Sequence, residues 1–250
     1  GQVQHANSNY SIEYPDESFI ISTPCKISSN CNTIITCKSF IIKSTDVSLS
    51  NFTLDSSLEF TNKNNISISH FIFKSDKEIK YCIEISECKN ILFDDIEITG
   101  SYKTGFFIAD SSEVTINNSK IHDLKETLIG LRRQSTLKMN NTKVYKTEAH
   151  GLNSDVDCTL EISNCFFSDI KFSALYLTKT KLSLKNSQIK NCDQTSVACN
   201  DIDEFIVEGN EFYYSEYTGF YAENCKGVVK GNKFTKFKGN GAFAAGKSNI

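Results

Sequence analysis

The sequence predicts an all-β chain folded as a parallel β-helix, a solenoid of about nine rungs with 22–23 residues per rung. Three observations predict this fold. A six-residue pattern recurs nine times, its copies keep a nearly constant spacing, and two further apolar pairs accompany most copies at fixed offsets. A constant period of this length is the sequence signature of a stacked repeat protein. No stretch of the chain has a competing helical pattern of useful length.

The recurring pattern has an apolar residue first and last and a turn residue in third place. Successive turn positions are 19, 25, 23, 23, 23, 22, 23 and 22 residues apart. Asn and Gly dominate there, and these residues adopt a positive backbone φ most readily. Each copy therefore predicts two strands joined through one left-handed residue, with Asn side chains able to hydrogen-bond along the stack. This turn ladder comprises Asn51, His70, Asp95, Asn118, Asn141, Asn164, Asn186, Gly209 and Gly231.

Two more short strands are predicted in each rung. An apolar–any–apolar pair such as Leu175/Leu177 follows most copies after eight residues, and another, such as Val114/Ile116, precedes the turn. Alternation with a period of two is typical of a strand with one face buried. Three strands per rung with inward residues at fixed offsets describe a β-helix. A leucine-rich repeat has a similar period, but its Leu/Asn consensus is absent.

The predicted domain organisation is simple. Residues 1–38 are expected to form an irregular N-terminal rung or cap, and residues 39–250 the β-helix. We expect the chain to be a segment of a longer protein with flanking domains, because the last residues break off inside a repeat and solenoids need capping repeats. Residues 1–9 have neither the basic start nor the apolar core of a signal peptide.

Composition excludes several classes of function. Hydrophobic residues make up 39% of the chain, charged residues 23%, and the net charge is −3. This balance argues against disorder and against nucleic acid as a partner. No apolar run is long enough for membrane insertion. No CxxC is present and the four His are scattered, so neither a metal site nor a cofactor is predicted.

Cys158, Cys165, Cys192, Cys199 and Cys225 are predicted to be free thiols, because the register set by the turn ladder gives them no obvious neighbouring partner at the separation that a disulfide requires. Of the ten cysteines, only Cys25, Cys31 and Cys37, which are six residues apart, could pair locally, and three is an odd number. Free buried thiols favour an intracellular compartment, although an extracellular location is not excluded by this reasoning.

The ladder motifs Ile116–Ile121, Val207–Phe212 and Val229–Phe234 resemble the right-handed parallel β-helix repeats of pectin-lyase-like proteins. The resemblance covers residues 40–250 and implies a right-handed solenoid. It leaves function open, since this fold hosts polysaccharide lyases and hydrolases, phage depolymerases, adhesins and scaffold domains. It also implies that a substrate would lie along the outward face of the first strand. The richness in Ile, Lys, Asn and Ser is similar to that of proteins from AT-rich protist genomes.

The outward face of the first strand carries the candidate binding residues. Aromatic rings in a row suit stacking on sugars or anchoring of a protein partner. We therefore predict a non-catalytic binding or scaffolding module that presents this face to a glycan or a protein. The candidates are Phe107, Arg132, Asn153, Asp155, Tyr176, Tyr221, Glu223 and Phe243.

The alternative function is that of a carbohydrate-active enzyme, a polysaccharide lyase or glycoside hydrolase acting on the same face. A glycoside hydrolase needs two carboxyls, about 5–5.5 Å apart for retention or about 6.5–9.5 Å for inversion. Glu59 and Glu84 are the candidate pair, although the irregular spacing there weakens the register. Asn153 and Asp155 match only the first element of a polygalacturonase-type site. Because the set is incomplete, no catalytic residue is predicted.

Overall fold

The computed structural model describes residues 10–250. These residues form 26 strands in one continuous sheet. The described part of the chain contains no helix with the length and apolar character needed to cross a membrane. The first nine strands are β1 (Tyr10–Tyr14), β2 (Phe19–Ile21), β3 (Cys25–Cys37), β4 (Phe40–Ile42), β5 (Val47–Asp55), β6 (Leu58–Thr61), β7 (Asn64–Ser86), β8 (Lys89–Ala109) and β9 (Glu113–Asn117).

The remaining strands are shorter and follow one another at regular intervals. The next nine are β10 (Lys120–Leu124), β11 (Ile129–Leu131), β12 (Thr136–Asn140), β13 (Lys143–Thr147), β14 (Leu152–Ser154), β15 (Cys158–Ser163), β16 (Phe166–Ile170), β17 (Leu175–Thr178) and β18 (Thr180–Lys185). The last eight are β19 (Gln188–Cys192), β20 (Val197–Asn200), β21 (Phe205–Glu208), β22 (Glu211–Ser215), β23 (Phe220–Glu223), β24 (Gly227–Lys230), β25 (Lys233–Phe237) and β26 (Ala242–Ala245).

Each turn of the solenoid contributes one strand to each of three faces. Strands β11, β12 and β13 make one turn, and each pairs in parallel with the strand three places later, β14, β15 and β16. We call the face that contains β11 and β14 the first face, and those of β12 and β13 the second and third faces. Strands β3, β5, β7 and β8 are long because they continue around corners. About ten turns result, which confirms the predicted all-β parallel β-helix.

The core is the interior of the coil, filled by columns of inward side chains. On the first face, Phe106, Ile129, Leu152 and Leu175 follow one another from turn to turn, and each is 0% exposed. Neighbouring strands lie about 4.8 Å apart, so these side chains are in direct contact along the column. Every turn thus buries its apolar surface against the turns before and after it, which stabilises the stack.

All nine residues of the predicted turn ladder have positive φ, between 49° and 70°. Their side chains form an interrupted hydrogen-bond ladder. Asn141 Nδ2 donates to Asn118 Oδ1 at 2.7 Å, whereas the Asn118 amide donates to Asp94 Oδ1 and the Asn164 amide to Asn140 Oδ1. The backbone conformation therefore repeats more strictly than the side-chain contacts.

The other two corners of the solenoid also contain left-handed residues. The signal was missed in the sequence because the residue types vary and include Lys and Tyr, which seldom adopt positive φ. One column comprises Asp123, Lys146, Asp169, Asn191, Tyr214 and Lys236, and another comprises Glu87, Asp110, Arg133, Asp157, Lys179, Asp201, Asn224 and Gly246. Left-handed residues therefore recur at all three corners of the solenoid turn.

Residues 10–38, for which an irregular rung or cap is predicted, contain paired strands. Strand β1 pairs with β3 and β2 with β4, both in parallel register. The irregularity is confined to β3, where the pairing with β5 shifts between Ser28 and Thr33. Residues 1–9 of the predicted cap lie outside the described residues. The division at residue 38 remains a prediction.

The ten cysteines all carry free thiols, eight of them buried. Burial raises the pKa of Cys165 to about 11 and that of Cys192 to about 12. Cys31 differs, because contacts with the hydroxyls of Thr33 and Ser29 lower its pKa. The buried thiols therefore pack as small apolar groups, and the thiol of Cys31 is the more nucleophilic.

Candidate functional site

Strand pairing aligns the predicted aromatic residues in one outward column of the first face. We call this column the aromatic stripe. Tyr176 and Phe243 are 43% and 46% exposed. Gly130 and Ala198 are buried, and the surface is shallowly depressed at these two positions of the column. The stripe runs, one residue per turn, through Phe107, Gly130, Asn153, Tyr176, Ala198, Tyr221 and Phe243.

Tyr176 is supported by two rings from the preceding loops. The imidazole of His150 stacks on it, with centroids 5.0 Å apart and 28° between the planes. The ring of Phe172 meets His150 edge to face at 5.1 Å and is itself 39% exposed. These contacts are not predictable from the sequence, because both residues lie in loop columns whose side-chain direction depends on the corner geometry.

The two ends of the stripe also carry stacked rings. Phe107 stacks with Tyr81 at a centroid distance of 4.6 Å, and Tyr221 lies parallel to Phe243 at 5.9 Å. Offset and parallel arrangements hold aromatic rings in fixed orientations. The stripe therefore presents aromatic surfaces whose geometry is set by the solenoid.

His150 has a defined protonation state in this arrangement. Its Nδ1 accepts a hydrogen bond from the backbone N–H of Ser173 at 3.2 Å. Burial lowers the pKa of His150, and a hydrogen bond donated to the Nδ1 lone pair likewise requires the unprotonated nitrogen. The imidazole is consequently a neutral ring at neutral pH, with its proton on Nε2.

Three of the predicted site residues form a closed polar cluster. Arg132 donates from Nη2 to Asn153 Oδ1 at 2.7 Å and from Nη1 to the Asn153 carbonyl oxygen at 3.1 Å. Its Nε lies 3.7 Å from Asp155 Oδ2, while Asp155 Oδ1 accepts a hydrogen bond from the N–H of Arg133. The guanidinium lies close beside Gly130, where a Cβ would be in ordinary van der Waals contact with Nη2 at 3.6 Å. These groups satisfy one another, so Asp155 does not stand as a free base.

Glu223 lies beside the stripe at its C-terminal part. Its Oε2 accepts a hydrogen bond from the Tyr221 hydroxyl at 3.2 Å. Partial desolvation, followed by this hydrogen bond and the carboxylate charge, raises the pKa of Tyr221. The hydroxyl therefore stays protonated and donates to Glu223, and this hydrogen bond orients the Tyr221 ring along the first face.

Glu59 and Glu84 are paired residues on adjacent turns of the first face. The register thus brings the candidate carboxyl pair together despite the irregular repeat spacing. Partial burial, and secondarily the charge of Glu59, raise the pKa of Glu84. Glu84 in turn pairs with Phe107, so this carboxyl pair continues the column of the stripe toward the N-terminus.

Among the residues that the structure describes, no group of three or more His, Cys, Asp and Glu side chains could hold a metal ion.

Comparison with known proteins agrees on the fold. The family model described as a right-handed beta helix region matches residues 23–154, 56–180 and 127–250. The surface protein and adhesin PfbA of Streptococcus pneumoniae superposes with a TM-score of 0.58 and 13% identity, over 95% of this chain and 91% of that chain. No curated protein matches the sequence.

Two further solved structures are enzymes with the same architecture. The A-module of the Azotobacter vinelandii mannuronan C-5 epimerase AlgE6 gives a TM-score of 0.56 with 10% identity, over 92% of this chain and 87% of that chain. The enzymatically active domain of bacteriophage CBA120 tailspike protein 2 gives 0.50 with 10% identity, over 95% of this chain and 43% of that chain. Identities this low indicate shared fold alone. With the family model matched along most of its length, the chain belongs to the right-handed β-helix family.

Proposed function

We propose that this chain is a non-catalytic binding module that presents the aromatic stripe to a glycan. The observation that carries the proposal is the column of outward rings at Tyr176, Tyr221 and Phe243, of which Tyr176 and Phe243 are exposed and Tyr221 is partly exposed. Rows of exposed aromatic side chains are uncommon on a protein surface without a ligand. Their flat apolar faces suit the C–H faces of sugar rings, and the sheet holds them at a fixed spacing.

A glycan fits the stripe better than a protein partner does. The small, buried Ala198 separates Tyr176 from the stacked rings of Tyr221 and Phe243, so the aromatic surface is interrupted along the solenoid axis. A protein partner would call for a broad, contiguous apolar core at the centre of the interface. An extended chain of sugar rings matches an interrupted row of aromatic rings along the solenoid axis. Adhesins and epimerases among the structural neighbours show that this fold occurs in both binding proteins and enzymes.

The polar residues of the stripe support a non-catalytic role. General acid–base chemistry needs a free acid and a free base facing one reacting bond. Asp155 is held by Arg132 and by the N–H of Arg133, and Glu223 accepts from Tyr221. These carboxylates are engaged in orienting their neighbours.

A glycan array followed by titration tests the proposal. Tyr176→Ala with Tyr221→Ala should weaken binding to the glycans that the native chain retains by about tenfold or more, with an unchanged thermal unfolding curve. Tyr145→Ala, which alters an outward ring on the third face, is the matched control and should bind normally. Unchanged binding by the double variant would refute the role of the stripe. If no glycan binds and a purified protein partner loses affinity through the same two substitutions, the partner is a protein instead.

The second candidate, a glycan-cleaving enzyme, is favoured by one observation. Glu59 and Glu84 occupy paired positions on adjacent turns, which places two carboxyl side chains side by side on one face, as glycoside hydrolysis requires. Glu84, with its raised pKa, would be the acid, and Glu59 the nucleophile. Release of reducing sugar that disappears in both Glu59→Gln and Glu84→Gln would establish this activity and refute the non-catalytic role.

A further inference from the structure

Two matched aromatic pairs occur along the stripe. Tyr176 and Tyr221 each have an aromatic residue four positions earlier in the loop, Phe172 and Tyr217 respectively. Phe172 is 39% exposed and Tyr217 is 59% exposed. Both members are displaced by the same 45 residues (217 − 172 and 221 − 176), which corresponds to two turns of the solenoid. The face therefore repeats one aromatic arrangement at a two-turn interval.

The turn between the two pairs has a small side chain in the stripe and a polar one in the loop. Ala198 stands between Tyr176 and Tyr221 in the stripe and is 6% exposed. In the loop column, the exposed Gln194 follows Phe172, whose carbonyl oxygen accepts its backbone N–H at 3.2 Å. Two turns at the usual strand spacing separate the pairs by about 10 Å. A ligand that engages both pairs must span this gap along the solenoid axis. There, the side-chain amide of Gln194 can form hydrogen bonds with hydroxyl groups of the ligand.

The charges around the two pairs disfavour an anionic ligand. The loop lysines are already engaged, Lys171 with Asp193 at 3.7 Å and Lys238 with Glu216. Beside the second pair stands the exposed carboxylate of Glu223. A sugar carboxylate lying over Tyr221 would face that like charge, and like charges at close range oppose binding.

We infer that the ligand of the stripe is a neutral, linear glycan that spans both aromatic pairs and lies parallel to the solenoid axis. This inference rests on the proposed function and adds the chemical class and the minimum length of the ligand. Each pair acts as a stacking subsite, and Gln194 and Ala198 line the stretch between them. An oligomer too short to reach both pairs gains only one stacking contact.

Titration with oligosaccharides of increasing length tests the inference on the full chain. The neutral probes are cello-, manno- and chito-oligosaccharides, and the acidic probe is an oligogalacturonate series. At least one neutral series should bind, and its affinity should rise about tenfold once the oligomer reaches both pairs, then level off. Oligogalacturonates should bind at least about tenfold more weakly than that series.

Moving one tyrosine by one turn of the solenoid tests the spacing of the rings separately from their number. In Tyr176→Ala with Ala198→Tyr, the stripe keeps its ring count, but the two tyrosines are one turn apart. Long neutral oligosaccharides should bind this variant as weakly as Tyr176→Ala alone. Full recovery of affinity would overturn the two-turn spacing. Glu223→Gln should raise the ratio of acidic to neutral affinity by about fivefold at low salt, and Glu211→Gln on the third face should not.

The outcomes separate this inference from the proposed function. If oligogalacturonates bind as tightly as the best neutral series, or if affinity is independent of length, the inference fails and the binding module stands. If no series binds, the inference fails. If a glycan array also shows no binding, and the double tyrosine variant loses no affinity for any ligand of the native chain, the proposed function fails as well.

Discussion

The imidazole of His150 packs against the ring of Tyr176 while its Nδ1 accepts the backbone N–H of Ser173. This links the most exposed tyrosine of the aromatic stripe to a titratable group in the loop before it. Phe172 also contacts the imidazole, edge to face. The orientation of the Tyr176 ring therefore depends on His150 being neutral.

Protonation of His150 at acidic pH should weaken both the stability of the fold and the binding of a glycan by the aromatic stripe. Burial lowers the pKa of His150 below its value in an unfolded chain. Its neutral form therefore contributes stability at pH values above the unfolded pKa of about 6.5, and this contribution is lost as pH falls through the folded pKa. The unfolding temperature of the native chain should fall more between neutral and mildly acidic pH than that of His150→Gln. Equal pH profiles for both chains would contradict this assignment, and His70→Gln, at an exposed histidine, is the control.

Cys31 should be the first thiol to react with iodoacetamide in the folded protein at neutral pH. Contacts with Thr33 and Ser29 lower its pKa, whereas burial raises those of Cys165 and Cys192. The thiolate is the reactive form, so labelling should concentrate at Cys31 and slow in Thr33→Val. Peptide mass spectrometry after brief labelling measures this. Equal labelling at Cys165 or Cys192 would show that the buried thiols are open to reagent.

The hydroxyl of Tyr102 should contribute measurably to stability. Tyr102 is 1% exposed inside the solenoid, and its hydroxyl donates to the carbonyl oxygen of Ser56 at 2.7 Å. Tyr102→Phe removes that donor and should lower the free energy of unfolding by about 1–3 kcal/mol. Tyr145→Phe, at a partly exposed ring on the third face, should change it by less than about 0.5 kcal/mol. Denaturant titration of both variants decides whether the buried hydrogen bond matters.

Two glycines of the turn ladder separate backbone strain from steric contact. Gly209 and Gly231 have φ of 70° and 63°, so alanine at either position is strained by about 1–2 kcal/mol. A Cβ at Gly209 would also lie 2.7 Å from Oδ1 of Asn186, whereas at Gly231 its nearest neighbour is 3.9 Å away. Gly209→Ala should therefore destabilise the fold more than Gly231→Ala. Equal losses in thermal unfolding would show that the Asn186 amide moves aside freely.

Much of the fold is readable from the sequence because one corner uses a restricted set of residues. Asn118, Asn141 and Gly209 mark that corner and fix the register of the strands on either side. The other corners escape notice, since Lys146 and Tyr214 adopt the same positive φ without any compositional signal. There, the parallel pairing of the strands overrides the conformational preference of the individual residue.

The candidate site was predictable in position and only partly in contacts. Equal offsets from the turn ladder place Tyr176 and Tyr221 in one column, and strand pairing reproduces that column. The packing of His150 and Phe172 depends on how the loop leaves its corner, which no periodic pattern encodes. The ion pair of Arg132 with Asp155 follows from their neighbouring offsets on adjacent turns, whereas the hydrogen bond from the N–H of Arg133 to Asp155 depends on the geometry of the corner.

Binding affinity in the double tyrosine variant is the most direct measurement of what the aromatic stripe does. Isothermal titration calorimetry with the tightest-binding neutral glycan would compare the native chain with Tyr176→Ala/Tyr221→Ala. Because each ring contributes about 0.5–1.5 kcal/mol of stacking, the variant should bind about tenfold more weakly or worse, with an unchanged unfolding temperature. An equal affinity in both proteins would contradict glycan binding by the stripe.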